Sequence, residues 1–69
     1  MSIILASGIF FTKCTTRLLE KEAEGFTGWN DPKNISDSEL LLRAQGNMLR
    51  GDYVDAANLL MMLDSRVEK

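Results

Sequence analysis

Gly51-Asp52-Tyr53-Val54-Asp55-Ala56-Ala57-Asn58-Leu59-Leu60-Met61-Met62-Leu63 is the stretch that decides the fold. Gly51 suits the left-handed position that ends one helix, and Asp52 suits the N-cap of the next. No glycine or proline interrupts the run from Tyr53 to Val67, so a helix is expected over 53–67. Tyr53, Ala56, Ala57, Leu60, Leu63 and Val67 form one stripe at helical spacing, and Leu59, Met61 and Met62 widen it on both sides. A helix apolar over most of its girth needs more than one neighbour. The segment Leu59, Leu60, Met61, Met62 and Leu63 is therefore expected to form an oligomer interface.

Working back toward the N-terminus, Ser36-Asp37-Ser38-Glu39 has the form of a capping box. Asp37 adds negative charge where the helix dipole favours it. The helix it opens is expected to run through Leu40-Leu41-Leu42-Arg43-Ala44-Gln45 to about residue 49, across Gly46. Residues 25–35 read as a loop: Gly25 and Gly28 permit positive φ, and Pro32 pushes Asp31 out of the helical region. Phe26 and Trp29 lie in that loop, as core anchors or as a stacking platform.

A further helix is expected over 8–24, with Phe11, Cys14, Leu18 and Leu19 inward and Lys13, Arg17, Glu20 and Lys21 mainly outward. Residues 2–6 could extend it or form a short strand, and Gly8 favours a break. The division is one domain: an apolar segment and helix (1–24), a loop (25–35) and a helical hairpin (36–69).

At 69 residues, a lone core barely offsets conformational entropy, so such domains lean on a disulfide, a metal or a partner. One cysteine, Cys14, permits no internal disulfide, and the chain has no histidine. Zinc rarely accepts carboxylates alone, which leaves self-association, in keeping with 45% hydrophobic residues. The missing histidine also removes the usual base from serine or cysteine nucleophiles, and Cys14 reads as a buried structural thiol. Scattered cations and a net charge of −2 do not make a stripe that tracks a phosphate backbone, so nucleic acid is not an expected partner. Residues 1–12 carry no charged side chain, but this run is too short to span a bilayer and lacks the basic start of a signal peptide. A cytoplasmic protein is expected.

Arg17-Leu18-Leu19-Glu20-Lys21-Glu22-Ala23-Glu24-Gly25-Phe26-Thr27-Gly28-Trp29, together with the 51–63 segment, resembles small phage-encoded proteins of the MazG-like type. These are relatives of the all-α nucleotide pyrophosphatases, and the resemblance covers about half the chain. It implies chemistry resting on Glu-x-x-Glu and Glu-x-x-Asp pairs that hold magnesium against a triphosphate. Asp55 matches the last aspartate of that pattern, and Asp52 stands three residues earlier in place of a glutamate. The chain departs from the pattern in its second helix, which offers Glu39 but no acidic pair.

The expectation is an all-α bundle of about three helices with a C-terminal hairpin, completed by oligomerisation. Its function is expected to be non-enzymatic and cofactor-free: a phage-type accessory protein that inhibits a host protein or defence system, or sequesters a nucleotide at subunit interfaces. Phe26, Trp29, Lys33, Arg43 and Arg50 are the expected ligand or partner surface, because guanidinium groups hold phosphate in two places. The first alternative is a minimal magnesium-dependent nucleotide pyrophosphohydrolase, with Asp52, Asp55 and Glu39 as ligands drawn from two subunits. The second is a membrane-associated small protein.

Overall fold

The computed structural model describes residues 1–25, 28, 31 and 33–67. These form an all-α bundle of three helices: α1 (Ile3–Ala23), α2 (Asp37–Leu49) and α3 (Tyr53–Val67). Each start has its own chemical signal. The Ser2 hydroxyl accepts from the Leu5 amide at 3.1 Å, and the Ser36 hydroxyl accepts from the Glu39 amide at 3.1 Å. The Asp52 carboxylate accepts more loosely from the Asp55 amide, at 3.4 Å. The capping box at Ser36 is half made, because the Glu39 side chain turns away to pair with Arg43 one turn on.

α2 ends in a Schellman turn. Gly51 takes φ 77°, its amide donates to the Met48 carbonyl, and the Asp52 amide donates to the Asn47 carbonyl. This double closure satisfies the last carbonyls of α2 and turns the chain directly into α3.

α2 and α3 lie antiparallel around Leu40, Ala44, Leu59 and Met62, with Leu18, Ile35 and Leu63 packed against them. The open end of this hairpin is tied by Arg66, whose guanidinium donates to Asp37 at 2.6 Å. α1 packs on α3 and runs parallel to it: Cys14 meets Val54, and Arg17 meets Asp55. At the same place the buried Asn58 side chain donates to the Cys14 carbonyl at 3.1 Å.

Three expectations change. α1 runs unbroken through Gly8 from Ile3, because one glycine costs a helix only about 1 kcal/mol relative to alanine and the capped residues around it absorb that. On α1 the buried face is narrower than expected: Cys14 is buried and Leu18 packs on the core, while Phe11 and Leu19 are exposed. On α3 the inward stripe is rotated. Ala56, Leu59, Met62 and Arg66 are buried, whereas Tyr53 and Leu60 face out. The reason is polar: this rotation delivers Arg66 to Asp37 and Asn58 to the Cys14 carbonyl.

No described helix is long and apolar enough to cross a membrane.

Candidate functional site: a charged cleft between α1 and α2

α1 and α2 both pack on α3, and between them they leave a cleft of about 610 Å³. α3 supplies its floor through Asp55, Asn58, Leu59 and Met62. The α1 wall is Arg17, Leu18 and Lys21, and the opposite wall is Glu39, Leu42, Arg43, Gly46 and Asn47. Arg50 and Asp52 close the end at the α2–α3 turn. Helical spacing explains each wall. Arg17 and Lys21 are four apart on one face, as are Glu39, Arg43 and Asn47 on another.

Four cations and three carboxylates therefore share one space. The carboxylates are engaged. Asp55 accepts from the Arg17 guanidinium at 3.3 Å, Glu39 accepts from Arg43, and Asp52 caps α3. The hydrogen bond to Asp55, reinforced by its charge, holds the Arg17 proton more tightly than usual. Burial, then the Asp55 charge, pushes the Cys14 thiol up from its ordinary 9.0.

The cations are less evenly matched. Among the described residues, neither Lys21 nor Arg50 has a carboxylate partner; Arg50 donates to the neutral Asn47 side chain. Gly46 sits in the wall beside Arg50, and a methyl group there would stand 3.5 Å from that guanidinium, an ordinary contact.

Several sequence-predicted residues meet here: Arg43, Arg50, Glu39, Asp52 and Asp55 all line the cleft. Lys33 does not; it is exposed on the turn before α2, and its amide donates to Asp31. Phe26 and Trp29 lie outside the described residues. Among the described residues, no group of three or more carboxylate or cysteine side chains is close enough to hold a metal ion. Of the expected oligomer segment, Leu59 and Met62 are consumed by the chain's own core, Leu63 is half-buried, and Leu60 and Met61 remain at the surface.

Sequence reasoning missed Arg17, Lys21 and Asn58. The i,i+4 spacing of Arg17 and Lys21 was visible, but their interleaving with Glu20 and Glu24 reads equally as a solvated face. Asn58 carried no signal beyond being a polar residue within an apolar run.

Comparison of the chain with protein-family models, with curated proteins and with solved structures finds no match.

Proposed function

We propose that this chain is a binding protein rather than an enzyme, and that its cleft sequesters a small phosphate-bearing molecule of nucleotide size. One observation carries the reading: Lys21 and Arg50 line a single cleft with no carboxylate of their own among the described residues, together with the apolar side chains of Leu18, Leu42, Leu59 and Met62. A volume of about 610 Å³ falls within the range of small-molecule sites, which are mainly apolar with a few convergent polar groups. A phosphate would take the Lys21 ammonium as a point charge and the Arg50 guanidinium as a two-pronged donor. Leu18, Leu42, Leu59 and Met62 would receive the flat, less polar part of the ligand.

The test is isothermal titration with inorganic pyrophosphate and with a nucleoside triphosphate, each with and without magnesium. Binding of either is expected, weakened about tenfold or more in Lys21→Ala and in Arg50→Ala, since a hydrogen bond to a charged group contributes about 1.5–3 kcal/mol. No binding in any arm, or binding indifferent to both substitutions, overturns the reading.

A magnesium-dependent pyrophosphohydrolase is the second reading. Glu39, Asp52 and Asp55 line the same cleft but are not close enough in one chain to hold a metal ion, so this reading needs carboxylates from a second subunit. It requires Arg17 and Arg43 to release their carboxylates before a metal could enter. Magnesium-dependent turnover that is abolished in Asp55→Asn would select it over sequestration.

A further inference from the structure

The α2–α3 hairpin holds itself together. Its core of Leu40, Ala44, Leu59 and Met62 contains no α1 residue. The Schellman turn at Gly51 closes one end, and Arg66 with Asp37 ties the other. α1 is seated far more lightly. Of its 21 residues only Cys14 is buried, and Leu18 alone packs on the hairpin core. The polar part of the seat is equally short. Asn58 donates to the Cys14 carbonyl at 3.1 Å, and Arg17 donates to Asp55 at 3.3 Å. Cys14, Arg17 and Leu18 together span little more than one turn of the helix.

Nothing holds α1 from the other side. Among the described residues α1 packs on α3 alone, and no hydrogen bond or ion pair crosses the cleft from α1 to α2. Segments with few buried contacts open at lower free energy than the core, as cooperative units of their own. α1 carries Arg17, Leu18 and Lys21 of the cleft, so its departure from α3 removes one whole wall.

We propose that α1 is the moving wall of the cleft: it leaves α3 while the α2–α3 hairpin stays folded, and a bound phosphate fastens it. The fastening rests on the phosphate reading of the cleft; the motion does not. Lys21 belongs to α1 and Arg50 to the C-cap of α2. A phosphate held by both therefore ties α1 to the hairpin across the side where the described protein has no tie. A ligand shifts such an equilibrium by its differential affinity for the two states, and the open state offers it Arg50 without Lys21.

Cys14 supplies the reporter, being the chain's one thiol and covered where α1 meets α3. Its alkylation by iodoacetamide is followed in the full chain through low urea, beside hydrogen exchange at the buried Ala44 and Met62 amides of the hairpin. Each rate is referred to that of the same group in the unfolded chain. Cys14 should open at least about tenfold more often than the hairpin amides. Its urea slope should lie between zero and theirs, because the slope scales with the surface exposed. Gly51→Ala, which strains the hairpin turn at φ 77°, should speed amide exchange about tenfold and leave Cys14 opening unchanged. A Cys14 that shares the amides' slope and their response to Gly51→Ala overturns the motion, since α1 then leaves only when the whole fold does. A slope of zero overturns it too, because the thiol alone is then breathing.

Inorganic pyrophosphate at about ten times its Kd should slow Cys14 opening about tenfold. Lys21→Ala, at the same multiple of its own Kd, should lose most of that slowing. Pyrophosphate that binds by titration yet leaves Cys14 opening unslowed overturns the fastening. Pyrophosphate that does not bind overturns the phosphate reading and the fastening with it, and the motion then stands or falls on the urea and Gly51→Ala results.

Discussion

Replacing Asn58 by aspartate changes one atom's role in the contact that seats α1 on α3. Asn58 is only 6% exposed, and its amide donates to the Cys14 carbonyl at 3.1 Å. That carbonyl keeps its own helical partner, so Asn58→Ala costs one net hydrogen bond and a little packing, about 1–2 kcal/mol. Asn58→Asp is harsher, because a carboxylate then faces a carbonyl oxygen in a buried place, beside the negative charge of Asp55. The new group will stay protonated to higher pH in the folded chain than in the unfolded one, where aspartate titrates near about 3.9. The penalty is therefore absent below about pH 4, where both states are protonated and the acid can itself donate to the carbonyl. It opens as pH climbs toward the higher folded value. A tenfold gain in proton affinity on folding is worth about 1.36 kcal/mol, so a gain of roughly a hundredfold costs near 3 kcal/mol at neutral pH. A chain of this size has roughly 3–10 kcal/mol in hand. Urea melts followed by circular dichroism should show the variant close to wild type near pH 3.5 and about 3 M lower in midpoint at pH 7 for a slope near 1 kcal/mol/M. A variant within about 0.5 kcal/mol of wild type at pH 7 would refute the buried amide–carbonyl contact.

Other outcomes follow from the same structure. Leu40→Ala empties the centre of the α2–α3 core, where Leu40 is fully buried; a loss of about 2–5 kcal/mol should appear in urea melts, while Leu49→Ala, at a 90% exposed site, stays within about 0.5 kcal/mol. Gly51→Ala forces a side chain into φ 77°, costing about 1–2 kcal/mol and lowering the thermal midpoint by several degrees. Cys14 should react with iodoacetamide far more slowly in the native chain than in urea, since burial and Asp55 raise its pKa. Because that folded value is the higher one, its contribution to stability is complete below about pH 9 and is lost as pH rises further, which melts at stepwise alkaline pH would reveal.

The helices of the hairpin were legible because their ends are written in local chemistry. Ser36 caps α2, and Gly51 with Asp52 turns it into α3, and each signal sits within four residues of the boundary it sets. The facing of α3 was not legible. When apolar residues surround a helix, periodicity cannot choose a side; here polar pairs choose, and they join residues 29 and 44 apart in sequence. Gly8 misled for the opposite reason: a local penalty is outweighed by the run of capped, helix-compatible neighbours. Of the cleft, α2 and the turn were visible as Arg43, Arg50, Glu39, Asp52 and Asp55. Arg17 and Lys21 were not, because their place depends on how α1 leans on α3, which no local pattern encodes.

The parallel seating of α1 on α3 also sets an order of events during synthesis. α1 is made first, yet the residues that receive it, Val54, Asp55 and Asn58, come about forty positions later. Until α3 has left the ribosome, the α1 face carrying Cys14 and Leu18 has no native cover. The hairpin closes over a shorter span through its tight turn, so it should form first, with α1 docking afterward as a separate and slower step. In the interval the nascent chain presents a long apolar helix face to whatever is near it, and a chaperone or a neighbouring chain on the same message would meet that face before α3 does.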